Sequence, residues 1–298
     1  MSYTRKPFEE LDIMDDFLMN AVATNEEVGI PFCRTILSVL LQRKIGKIRI
    51  VAQRTIPSLT PTLRGIRMDV EIEEFGEDAD VELPGMNIYD LEPHLPQNTD
   101  LPRHNRFYQA KIDSRYLQSG ETNFSKMPNL YVITITNYDP FGYDYMMYTI
   151  QNKCEEVPEL EYKDGLQFIY FNTVGTKGGN PEIKALLNYF KKSTINNVTN
   201  TTTKEVNDYI NKVKILPEVK VEYMKFEEII SYAKKDAEKD TRVQSILELL
   251  EDYGDIPEEL IQKLNNEESP EVLKKWLKLA AKSESIEDFL QHLTSVRH

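Results

Sequence analysis

Apolar and polar residues alternate strictly over 65–73: Ile66, Met68, Val70 and Ile72 on one side, Arg67, Asp69, Glu71 and Glu73 on the other. Period-two alternation marks a half-buried strand. A second such piece, 86–94, sets Asp90, Glu92 and His94 on one face and Tyr89 and Leu91 on the opposite one. The connection over 75–85 is acidic and ends in Pro84-Gly85, which predicts an exposed hairpin loop. If the two strands pair, Asp69 and Glu92 lie side by side.

The remaining pattern surrounds this pair with helices and further strands. Helical spacing runs over 13–42, with a break near Gly29-Ile30-Pro31, Asp15 or Asp16 as a cap and Pro31 in the first turn of the second helix. Residues 47–53 alternate as a strand. Leu101-Pro102 opens a helix reaching about Leu117, with Phe107, Ile112 and Leu117 directed to the core and Arg106, Gln109 and Asp113 sharing one face. Residues 130–136, 146–150 and 166–172 read as strands and 181–192 as a helix that a proline begins. That order predicts an α/β (α+β) architecture, a mixed sheet flanked by helices, over residues 1–195. A polar Asn/Thr stretch at 196–203 then predicts a boundary. Over 196–298 the pattern is all helical. Separate short helices are expected at 229–239, 241–252, 257–264, 270–281 and 286–293, around Leu247, Leu250, Leu260, Leu264, Leu273, Trp276, Leu277 and Leu290.

Composition narrows the class. The 298 residues suffice for one large domain or two modest ones. The first 16 residues are charged and no apolar run approaches the roughly 20 residues that span a bilayer, so a cytoplasmic protein with no membrane partner is expected. Two isolated cysteines, Cys33 and Cys154, exclude a disulfide framework and a cysteine zinc cluster. A net charge of −13 argues against a general nucleic-acid coat protein. The acid excess is local: residues 61–130 carry 13 acidic and 7 basic side chains, and residues 196–298 carry 21 and 15. The first of these regions holds Asp69 and Glu92.

A carboxylate pair of that kind suits Mg2+ or Mn2+, because hard cations prefer oxygen ligands. Such ions polarise a phosphodiester and activate an attacking water. From spacing alone, the same residues also read as the wet face of an antiparallel sheet, and His94 as a solvated histidine.

Several short stretches in order resemble the Rpn-type family of recombination-promoting nucleases, also labelled PD-(D/E)XK nuclease family transposases. They are Asp12-Ile13-Met14-Asp15-Asp16-Phe17-Leu18, Gly65-Ile66-Arg67-Met68-Asp69-Val70 and Ile88-Tyr89-Asp90-Leu91-Glu92. Leu101-Pro102-Arg103-His104-Asn105-Arg106-Phe107-Tyr108-Gln109, Asp139-Pro140-Phe141-Gly142, Asn152-Lys153-Cys154-Glu155-Glu156 and Phe171-Asn172-Thr173 complete the set. The resemblance covers roughly residues 8–192 and implies a restriction-endonuclease-like PD-(D/E)XK core with an all-α C-terminal extension. It implies Mg2+-dependent (or Mn2+-dependent) endonucleolytic cleavage of DNA, linked to recombination or mobile elements. Asp69 then becomes the motif aspartate and Glu92 the acid of the E-x-K position, the two holding the metal. Asp16 matches the upstream acid, and His94 and Gln109 position water or phosphate. Arg103, Arg106 and Lys111 are the expected DNA contacts.

His94 departs from the pattern, since the general motif has lysine there and many relatives have glutamine. A second reading rests on that departure: a lapsed nuclease fold serving as a DNA-binding or protein-interaction module. Double-strand cleavage needs two sites, so a homodimer is expected on the nuclease reading.

Overall fold

The computed structural model describes residues 6–52, 55–56, 66–67, 70–75, 87–94, 100–116 and 123–293. These fall into two compact units, one of residues 6–220 and the other beginning at Val221.

The first unit is a mixed α/β structure around a six-stranded sheet. In chain order it contains α1 (Asp16–Ala23), α2 (Gly29–Leu40), β1 (Lys47–Ala52), β2 (Thr55–Ile56), β3 (Ile66–Arg67), β4 (Val70–Phe75) and β5 (Asn87–His94). There follow α3 (Leu101–Asp113), β6 (Asn129–Thr136), β7 (Met147–Ile150), β8 (Leu166–Asn172), α4 (Pro181–Lys191) and α5 (Thr201–Lys214). The sheet order is β1-β4-β5-β6-β8-β7, while β2 and β3 form a separate antiparallel pair. β1, β4 and β5 run antiparallel, β5, β6 and β8 parallel, and β7 closes the edge antiparallel to β8. Parallel neighbours need a crossover, and α3 supplies it between β5 and β6. The strand expected over 65–73 is described as β3 and β4, which pair with β2 and β1 in one register (Arg67 with Thr55, Val70 with Ala52), and Asp69 between them lies outside the described residues, as does the 76–86 connection.

One face of the sheet is apolar. Ile50, Ile72 and Tyr89 are register partners there, and Val70 pairs with Leu91. α1 and α2 cover this face; a Cβ on Gly29, in the first turn of α2, would stand 3.4 Å from the Ile50 side chain. Asp15 caps α1 by accepting the Phe17 amide at 3.1 Å. Leu18, Met19, Val22, Phe32, Ile36 and Leu37 are fully buried, each stabilising by about 1.5–3 kcal/mol relative to exposure.

Glu74 sits on the same face and is buried all the same. Burial raises a carboxyl's pKa, but four donors outweigh it and hold Glu74 down at about 2. They are the Arg43 guanidinium at 2.7 Å, the Gly46 amide at 2.7 Å, the Tyr89 hydroxyl, and Asn87 Nδ2 at 2.9 Å. The depressed value fixes the sign of a pH effect: the charged form stabilises the fold above the ordinary carboxyl value of 4.5, and that contribution disappears as pH falls through about 2. Glu74→Gln is therefore expected to cost about 2–3 kcal/mol at pH 7, with the gap to wild type closing between pH 4.5 and 2. A gap that stays constant from pH 7 to pH 2 in denaturant melts would refute this account.

The polar stretch 196–203 begins a helix instead of a linker. Asn200 and Thr203 form a reciprocal capping box, and α5 buries Val206, Ile210 and Val213. α5 packs on α1, α2 and α4, which carries the first unit to Lys220, past the boundary expected at 195.

The second unit takes in α6 (Pro217–Glu251) from Val221 onward, with α7 (Glu258–Asn265), α8 (Pro270–Ala280) and α9 (Ile286–Leu293). Residues 229–239 and 241–252, expected as separate helices, belong to the one 35-residue α6. No proline or glycine follows Pro217 until Gly254, where φ is +124°. Ile246, Leu250, Leu264, Leu273, Trp276 and Phe289 form this unit's core, whereas Leu290 faces outward. No helix among the described residues is long and apolar enough to cross a membrane.

Candidate functional site

The second face of the sheet changes character along the parallel strands. Cα register groups Ile88, Leu130 and Leu166 in one row, then Asp90, Val132 and Phe168. The next row is Glu92, Thr134 and Tyr170, and the last His94, Thr136 and Asn172. Side chains two residues apart share a face, so this surface is apolar at the strands' N-terminal ends and polar at their C-terminal ends.

α3 lies over this face and matches the gradient. Its inward stripe is Leu101, Asn105, Tyr108 and Ile112, at helical spacing. Ile112 and Tyr108 pack with Ile88, Leu130 and Val132 at the apolar end. Asn105, fully buried, donates from Nδ2 to Thr134 Oγ1 at 2.8 Å in the polar part. It also bonds Tyr170, whose hydroxyl burial pushes up to about 12 despite that bond. Phe107, expected in the core, is 44% exposed because it lies off this stripe.

Glu92 and His94 come together here as expected of one strand face, and both are buried to about nine-tenths. His104, from the first turn of α3, joins them. Its Nδ1 stands 3.9 Å from Glu92 Oε2, and its ring centroid is 5.9 Å from that of His94. Tyr108 stacks on His104 at 4.3 Å, and Tyr138 meets His94 edge-on at 6.4 Å. Burial, and secondarily the neighbouring His104, push the His94 pKa below the usual imidazole value. His94 Nε2 has no hydrogen-bond partner among the described residues. A neutral imidazole with a buried, unbonded nitrogen can accept a proton or bind a water once one reaches it.

The acid-rich strand β4 is not a wet face. Glu71 and Glu73 are 1% and 3% exposed. Arg115, just past α3, pairs with Glu71, and the Tyr116 hydroxyl donates to Glu71 at 3.2 Å. Arg49 Nε reaches Glu73 at 2.8 Å from β1. Glu71 faces Asp90 across the β4–β5 ladder, whose last described pair is Val70–Leu91; Glu92 is the next position on β5.

The other expected residues are dispersed. Asp16 is exposed in the first turn of α1. Gln109 donates to Asp113, one helical turn on. Burial raises the Asp113 carboxyl even against that bond. Arg103 is exposed and 3.3 Å from Asp100, Arg106 is exposed, and Lys111 Nζ sits 5.6 Å over the Phe107 ring. Arg103 and Arg106 thus leave one edge of α3 basic and open.

Glu92 offers hard oxygen donors, which suit Mg2+ or Mn2+. Among the described residues no group of three or more His, Cys, Asp or Glu side chains is placed to hold a metal. Asp69, the other half of the expected pair, lies outside them. Sequence reasoning missed His104 and Asn105. Asn105 carried a signal, being a polar residue centred on an apolar helical stripe, whereas His104 was visible only through its neighbours in space. No family model matches this chain, and no curated protein or solved structure matches it.

Proposed function

We propose that this protein is a divalent-cation-dependent DNA endonuclease built on a PD-(D/E)XK-type core. The observation that carries the reading is the placement of Glu92 and His94, buried and adjacent, at the polar end of β5, under the crossover helix to the parallel strand β6. The mixed sheet with an antiparallel β1-β4-β5 set and a helical crossover to β6 supports the reading as an α/β scaffold of the general kind that the Rpn-type resemblance implies. The motif stretches also occur in the implied order along the same elements.

Asp69 and Glu92 are the residues proposed to hold Mg2+ or Mn2+, an ion that when bound supplies charge neutralisation at a phosphodiester. The chain's own groups have separate tasks. His94 orients the attacking water through its unbonded Nε2, and His104 keeps Glu92 and His94 in register from α3. Arg103 and Arg106 meet the DNA backbone at the exposed edge of the same helix, as phosphate contacts that position without reading sequence.

The test is supercoiled plasmid incubated with the full chain in Mg2+ or Mn2+, beside Asp69→Ala. Nicking by wild type that falls at least a hundredfold in the variant is the expected result. Equal nicking by the two proteins would overturn the assignment. No nicking by either, with no calorimetric cation binding that depends on Glu92, would favour the lapsed-module reading.

A further inference from the structure

A second site lies at the other end of the sheet. A cavity of about 550 Å3 opens beside the N-terminal ends of β6 and β8, under the loop joining β7 to β8. That volume is within the 300–1,000 Å3 common for small-molecule pockets. Asn129 and Tyr131 of β6 and Gln167 of β8 line it, whereas Glu92 and His94 are level with the opposite ends of these strands.

The polar groups of the cavity divide into a frame and an unused set. In the frame, Asn129 Nδ2 donates to Asn87 Oδ1 at 3.0 Å, and Asn152 Nδ2 to Asp164 Oδ2 at 2.6 Å. Asp164 Oδ1 accepts the Leu166 amide at 3.1 Å, which fixes the end of the loop against β8. Gly165, at φ +76°, makes the tight approach to Asn129 that this closure needs. The Gln151 and Gln167 carboxamides and the Tyr131 hydroxyl make no hydrogen bond to any described residue, and all three line the same space. Tyr162 adds ring surface from the exposed side of the loop, and Tyr131, whose ring is stacked on Tyr89 at 5.1 Å, adds what that contact leaves uncovered.

A carboxamide presents one acceptor and two donors in a plane, which matches the N7 acceptor and N6 donor edge of adenine. Aromatic rings give such a base a stacking surface. The charged lining sets Lys153 and Lys163 against Glu159, Glu161 and Asp164. Lys163 is already paired with Glu161 at 2.8 Å. A net anionic rim disfavours a phosphate.

We infer that this cavity is a binding site for a neutral adenine nucleoside, with Gln151 and Gln167 reading the base edge. The site is independent of the nuclease proposal and stands or falls separately from it.

Calorimetric titration of the full chain with adenosine, uridine and AMP tests the inference. Adenosine is expected to bind with a submillimolar Kd, at least about tenfold tighter than uridine, whose single ring stacks less, and than AMP, whose phosphate the net anionic rim repels. Gln151→Ala, at an exposed position, and Gln167→Ala should each weaken adenosine about tenfold at an unchanged melting temperature. Absence of adenosine binding, equal affinity for uridine, tighter binding of AMP, or affinity unchanged in both variants would overturn the assignment.

Discussion

Glu92→Gln is expected to lower Mg2+-dependent plasmid nicking by about 10²–10³-fold, the usual loss on removing one electrostatic group from a reacting centre. Glutamine keeps the volume and planarity of the side chain, so the packing between β5 and α3 survives and the melting temperature should stay near that of wild type. What disappears is the negative charge, and with it the affinity for a hard cation. Glu92 lies in the row containing Thr134 and Tyr170, both tied to Asn105, so the surrounding scaffold is fixed by neutral hydrogen bonds independent of the carboxylate. A structural role would show itself as a lost melting transition; a cation-binding role shows as lost nicking and lost calorimetric Mn2+ binding at constant stability. Wild-type nicking by Glu92→Gln would remove Glu92 from the proposed centre.

The sheet and most helices were legible in the sequence because their signals are local. Alternation over 47–53 and 86–94, β-branched runs at 130–136, and prolines opening α3, α4 and α8 each specify an element within a few residues. The antiparallel pairing of β4 with β5 followed from two alternating strands flanking a turn-rich connection. What the pattern lacked was the third dimension. Acidic alternation on β4 looks the same whether water or α3 covers it, and only the reach of Arg115 and Tyr116 from the far end of α3 makes Glu71 a buried ion. Hydrophobicity alone directs Phe107 inward, yet it is 44% exposed. The true stripe of α3 runs through Asn105, which a binary pattern counts as outside.

The boundary was displaced for a similar reason. Asn and Thr cluster in linkers, but they also cap helices, and the stretch before α5 uses them in the second way. In the candidate site, Glu92 and His94 were readable from one strand's parity. His104 was not, because its approach to Glu92 depends on how far α3 travels back over β5. The long α6 shows the converse: Asp240-Thr241 resembles a cap, yet with no glycine or proline nearby the helix continues through it.

Arg115→Met is expected to destabilise the first unit by about 3–5 kcal/mol, the cost of stranding a buried carboxylate by removing its partner. Glu71 is 1% exposed and stands opposite Asp90 in the β4–β5 register, so two acids are held close in a region shielded from water. Like charges directly opposite on a sheet repel, and the Arg115 guanidinium, itself only 19% exposed, offsets that repulsion at Glu71. The Tyr116 hydroxyl remains to bond Glu71 in the variant, but a neutral donor does not balance a charge. Arg49 provides the control. It pairs with Glu73, whose side chain is only 4% exposed, but its own side chain is 49% exposed, so water can replace part of the lost partner and Arg49→Met should cost less than Arg115→Met, about 1–3 kcal/mol. The double variant Glu71→Met with Arg115→Met removes both charges, fills the space with apolar volume and should recover most of the lost stability, as replaced buried ion pairs do. Chemical denaturation of wild type, Glu71→Met, Arg115→Met and the double variant reads the coupling directly. A double variant that is as unstable as the two single losses added together would show that Glu71 and Arg115 do not act as a pair.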